Sequence, residues 1–89
     1  MIFIKNKVLV KLVVPEVDKT YDLFLPTNKK IGNIINLLNT TVTEFTSYEF
    51  SKSTSNLLFN ARTGHQYSPD DLLLNTDIRN GTILVLLSE

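Results

Sequence analysis

Residues 8–14 are almost continuously apolar, with Val8, Val10, Leu12 and Val14 on one parity and Leu9, Lys11 and Val13 on the other. The β-branched content and the period of two predict a strand. Pro15, Glu16, Val17, Asp18 and Lys19 break it as a turn. Tyr21, Leu23 and Leu25 then alternate with Asp22 and Phe24, so a second strand closes a hairpin. Pro26 and Thr27 end that strand, and Thr27 has the side chain of a helix N-cap. Beyond it Ile31, Ile34, Ile35, Leu38, Val42 and Phe45 recur in steps of three and four. They form the apolar stripe of one helix, with Lys30, Asn33, Asn36, Thr40 and Glu44 on its opposite face. Asn39, Thr40 and Thr41 are poor helix formers, so the last turns should depend on packing.

Residues 46–56 are polar and serine-rich, apart from Tyr48 and Phe50, and predict a loop or a ragged helix end. Leu57, Leu58 and Phe59 read as a short strand, and residues 60–66, around Thr63-Gly64, as a tight connection to a brief strand at Tyr67. Ser68, Pro69, Asp70 and Asp71 suit the start of one helical turn, with Pro69 where its missing N–H costs little. Asn80-Gly81 is a turn signal before a last strand over residues 82–87. The predicted order is ββαββ(α)β, an α+β fold. The single helix must bury its stripe on one face of a mixed sheet. At 89 residues, 43% of them hydrophobic, the chain makes a single domain, 1–89, with a thin stability margin.

Charge narrows the function. Nine basic residues balance nine acidic ones. Without basic excess there is little counterion release to gain at phosphates, so no nucleic-acid partner is expected. There are no cysteines, which removes disulfides, thiolate metal sites and thiol nucleophiles together, and agrees with a reducing compartment. The apolar start is interrupted by Lys5, Lys7 and Lys11, and no run nears the ~20 apolar residues of a membrane span. Neither a signal peptide nor membrane insertion is expected. The sequons at Asn39 and Asn80 are read as chance in an Asn- and Thr-rich chain.

Catalytic candidates are sparse. His65, the one histidine, sits in a turn with no cysteine or carboxylate at ligand spacing. Asp70-Asp71 suits a helix N-terminal dipole better than a metal or an acid–base pair. The serines lack a base in any motif, and the three glycines are too scattered for a phosphate loop. No enzyme, metal or cofactor is expected. Lys29-Lys30 is more informative. Two cations at a helix start oppose the dipole by a few tenths of a kcal/mol each, and so make a secondary candidate contact for an acidic partner.

The element order resembles the β-grasp layout of ubiquitin over nearly the whole chain. In that fold the first and last strands lie parallel in mid-sheet. More narrowly, Asp22-Leu23-Phe24-Leu25-Pro26, then Ile31, Ile34 and Ile35, then Asp77-Ile78-Arg79-Asn80-Gly81-Thr82, resemble the YukD/EsaB family. These are small bacterial ubiquitin-like proteins associated with type VII (WXG100) secretion systems. The resemblance implies a cytoplasmic accessory protein with no catalytic residues to carry over. Its partner would be a membrane or ATPase component of the apparatus, or a second copy of itself. The alternative is a ubiquitin-like modifier or sulfur carrier. Such proteins end in Gly-Gly, whereas this sequence ends Leu86-Leu87-Ser88-Glu89, so that activity is not expected.

The final strand is apolar at every residue from 83 to 87. If Leu84 and Leu86 face the helix, then Ile83, Val85 and Leu87 lie on the opposite face. Leu9, Lys11, Val13 and Phe24 are their expected neighbours, with Leu58 added if Leu57 and Phe59 point inward. A contiguous uncovered patch of this kind marks an interaction surface. The expected partner-binding set is therefore Leu9, Lys11, Val13, Phe24, Leu58, Ile83, Val85 and Leu87.

Overall fold

The computed structural model describes residues 6–46 and 56–88. Strand β1 (Lys7–Val14) leads through a 3-10 turn (Pro15–Val17) into β2 (Lys19–Pro26), and helix α1 (Ile31–Phe45) follows. Then come β3 (Leu57–Asn60), a 3-10 turn at Leu73–Asn75, and β4 (Ile83–Leu87). Asp18 closes the β1–β2 hairpin in the left-handed region at φ 52, a conformation Asp tolerates better than most residues.

The sheet order is β2-β1-β4-β3. β1 pairs antiparallel with β2 and parallel with β4, and β3 pairs antiparallel with β4. First and last strands thus lie side by side in the centre, with one helix on one face: a β-grasp. Register sets the faces. Leu12 lies level with Leu84 in β4, and Leu58 level with Leu86. All four are buried against the helix, where they meet Ile31, Ile34, Leu38 and Val42. Each such side chain withdrawn from water contributes about 1.5–3 kcal/mol.

Several local expectations are corrected. The helix does not begin after Thr27: Lys30 is its N-cap and makes no side-chain capping bond. Thr27 instead lies in the turn after β2, its N–H donating to the Asn6 carbonyl and its carbonyl accepting from the Leu74 N–H. The orphan N–H groups of Ile31 and Gly32 donate to the carbonyls of Asp71 and Pro69, so a distant loop closes the helix end. The late helical turn is therefore not at Asp70-Asp71 but at Leu73–Asn75, and those carboxylates serve no dipole there. The brief strand expected at Tyr67 shrinks to a single bridge between Phe59 and Gln66.

Phe45 ends the stripe but is exposed. Its ring centroid lies 5.2 Å from that of Tyr21 on β2. Of the poor helix formers, Asn39 is held by packing: it is buried and accepts a hydrogen bond from the Asn56 side-chain amide, whereas Thr40 is exposed. Thr43 and Thr46 donate their hydroxyls back to the Asn39 and Val42 carbonyls. Residues 47–55, including Tyr48 and Phe50, lie outside the described residues, as do residues 1–5 and 89.

Candidate protein-interaction surface

The face of the sheet away from α1 carries Leu9, Lys11 and Val13 from β1 and Asp22 and Phe24 from β2. β4 adds Ile83, Val85 and Leu87. Pairing fixes the neighbours. Leu9 stands opposite Phe24, Lys11 lies between Asp22 and Ile83, and Val85 lies between Val13 and Phe59. Phe24 keeps 48% of its surface exposed and Ile83 42%; Leu9 and Leu87 are exposed as well. Val13 and Val85 are half-buried because their neighbours crowd them.

One member of the expected set does not belong. Leu58 is 0% exposed and points into the core, so Leu57 and Phe59 take its place on the open face. The reason is Asn60. It shares the inward parity of Leu58 and is buried. Its amide donates to the Tyr67 hydroxyl at 3.1 Å, and its carbonyl accepts from the N–H groups of Arg62 and Thr63. A buried asparagine so satisfied costs little, and it sets the parity of β3.

Polarity on the face is local. Lys11 Nζ lies 3.4 Å from Asp22 Oδ1, an exposed pair contributing at most about 1 kcal/mol. It divides the apolar surface into a Leu9–Phe24 side and a Val13–Ile83–Val85–Leu87 side. Lys29 and Lys30 are exposed at the start of α1, away from this face, and make a separate feature.

Elsewhere polar groups serve the fold. The Tyr67 hydroxyl donates to Asp77 Oδ1 at 2.6 Å; burial, reinforced by this bond, pushes its pKa up to about 12. His65 packs edge-on against the Tyr67 ring. A cleft of about 390 Å³ near Asn60, Arg62 and Arg79 is open and polar, and one Arg79 Nη1 is already engaged by the Thr76 and Ile78 carbonyls. Among the described residues no group of three or more His, Asp or Glu side chains could hold a metal. No helix among them is long and apolar enough to cross a membrane.

The Asn80-Gly81 motif acquires a physical role. The Leu9 N–H donates to Asn80 Oδ1 at 2.8 Å, and the Gly81 N–H donates to the Leu9 carbonyl at 2.8 Å. Gly81 adopts φ 90 to do so. The motif thus fastens the approach to β4 onto β1 and aligns the centre of the open face.

No family model and no curated protein matches the sequence. Solved structures match the fold. A chain of the MycP5-free ESX-5 inner membrane complex superposes with a TM-score of 0.74 at 15% identity, covering 94% of this chain. The match spans only 22% of that longer chain. The ubiquitin-like domain of the Mycobacterium tuberculosis type VII secretion system protein EccD1 gives 0.72 at 15% identity, covering 92% of this chain and 98% of that one. The N-terminal ubiquitin-like domain of the 4931431F19Rik protein gives 0.68 at 14% identity, covering 94% and 76%. The chain therefore has a ubiquitin-like β-grasp fold, whose structural neighbours include a domain of a type VII secretion protein.

Proposed function

We propose that this protein is a non-catalytic, cytoplasmic ubiquitin-like module of the YukD/EsaB type. It would dock through its open sheet face on a membrane or ATPase component of a bacterial type VII secretion apparatus, or on a second copy of itself. One observation carries the docking face: Leu9, Ile83 and Leu87 remain exposed on the two central strands, whose other side is buried, and Phe24 on β2 extends the same exposed face. The likeness to the EccD1 domain, together with the motifs at residues 22–26 and 77–82, supports the secretion context.

The test is affinity capture from detergent-solubilised lysate of the source organism, read by mass spectrometry. Wild type is compared with Phe24→Asp and Ile83→Glu. These exposed positions are better probes than half-buried Val85, where a charge would also strain the core. The expected result is recovery of secretion-system components by wild type and their loss with either variant, while both variants melt within a few degrees of wild type. Equal recovery by all three would move the contact off this face. Recovery of no secretion component would remove the assignment to the apparatus.

A further inference from the structure

A second surface, on the sheet edge and separate from the open face, has its own geometry. β2 is an outer strand, paired only with β1 among the described residues. The hydrogen bonds show which of its backbone groups are left. Lys11 N–H bonds the Thr82 carbonyl and the Leu9 carbonyl accepts from Gly81, so the odd positions of β1 turn toward β4. The even positions Val8, Val10, Leu12 and Val14 must therefore serve β2, opposite Leu25, Leu23, Tyr21 and Lys19. That leaves the N–H and C=O groups of Thr20, Asp22 and Phe24 directed outward. A row of outward donors and acceptors is a template for another strand.

Beside this edge runs an apolar strip. Phe45 touches Tyr21, and Pro26 lies only five residues before Ile31, so α1 runs antiparallel to β2. Thr41 and Leu37 stand one and two turns before Phe45, within about 80° of it around the helix axis. They share its flank, toward β2 and away from Asn39 and Thr43. Four helical residues cover about the same length as two strand residues, so Thr41 comes level with Leu23 and Leu37 with Leu25. Leu37 and Phe45 are 45% and 57% exposed, and Tyr21 and Leu23 are half-buried. At the Pro26 end of the strip stand the exposed cations Lys29 and Lys30, whose neighbouring helix N–H groups are already bonded to the 69–71 loop.

We propose that the β2 edge, with the strip of Tyr21, Leu23, Leu37 and Phe45, accepts an extended segment of a partner protein in which apolar residues alternate with polar ones and carboxylates follow at one end. The backbone row demands a strand, the strip demands apolar side chains at every second position, and Lys29-Lys30 selects the acidic flank. Such a strand would become a fifth member of the sheet and leave the open face free.

The probe is a fluorescein-labelled peptide reading Val-Thr-Ile-Thr-Val followed by three glutamates, with a scrambled peptide of the same composition as control. Binding is measured by anisotropy and by amide hydrogen exchange at up to about 1 mM peptide, an affinity range suited to one short strand. The expected signature is new protection at Thr20, Asp22 and Phe24 alone on β2, since Tyr21, Leu23 and Leu25 are already bonded to β1. Asp22→Pro removes an outward donor without touching a β1–β2 bond, and Leu37→Glu charges the strip. Each should weaken binding by about tenfold or more, the worth of one good contact. Lys30→Glu should weaken it several-fold. Protection of Lys19–Pro26 amides facing β1 reports that each variant remains folded. Absence of binding, equal binding of the scrambled peptide, or shifts centred on Leu9 and Ile83 instead would overturn the proposal. So would protection of the three outward amides that rises with protein concentration alone, which would assign the edge to a second copy.

Discussion

Tyr67 shows how one hydroxyl can organise a loop. It is buried, accepts from the Asn60 amide at 3.1 Å and donates to Asp77 at 2.6 Å, linking the end of β3 to the approach to β4. Tyr67→Phe would leave the buried Asn60 amide without this acceptor, at a cost of about 1–3 kcal/mol. The pH dependence has a definite sign. The phenol is raised from 10.0 to about 12 in the folded protein, so the fold holds the proton more tightly than the unfolded chain does. Its contribution is fully present below the unfolded value, and it is lost as pH rises through the folded one. Urea unfolding at about pH 8 and about pH 11 should show wild type losing stability between them, with a smaller loss in Tyr67→Phe. Equal losses in both proteins would mean that this hydroxyl is not the titrating group. None of this was legible from the sequence, because the three side chains come from 60, 67 and 77 and meet only in the folded chain, the bridge between Phe59 and Gln66 bringing the first two together.

At the scale of the element, pattern was a good guide where one face differs from the other and a poor one where it does not. β1 has a strict inner parity, and the α1 stripe is buried from Ile31 to Val42, so both were readable in advance. β3 was not. Leu57, Leu58 and Phe59 are apolar on both parities, so the pattern does not say which of them point inward, and the reading that turns Leu57 and Phe59 inward puts Leu58 on the wrong side. The helix start was misplaced for a related reason. Its first N–H groups are satisfied by carbonyls about forty residues away, a solution that no local capping motif announces. Adjacent leucines test the α1 assignment. Leu38 is 1% exposed, and Leu38→Ala should cost about 2–5 kcal/mol. Leu37 lies on the exposed flank, and Leu37→Ala should change stability by less than about 0.5 kcal/mol. Chemical denaturation of the two single variants measures both. Similar costs would mean that the helix is rotated about its axis.

For the molecule as a whole, the fold leaves two surfaces of different physical character, and salt should separate them. The open face is apolar, and its charges, Lys11 and Asp22, neutralise one another within the surface. The docking proposed there would be driven by water released from Leu9, Phe24, Ile83 and Leu87, which sodium chloride hardly affects and sulfate strengthens. The β2 edge differs because Lys29 and Lys30 are exposed to solvent at one end of it. Between about 50 and 500 mM salt the Debye length falls from about 14 to 4 Å, enough to uncouple exposed lysines from a flexible acidic flank. Capture of a secretion component through the open face should therefore be unchanged or improved at high salt. Binding of the acidic peptide should weaken several-fold, with Lys30→Glu losing most of that salt dependence. Titrating both interactions across the same salt series decides the matter within one experiment. If both weaken together and both respond to Lys30→Glu, the two surfaces are one site, and the exposed apolar residues of the open face need another explanation.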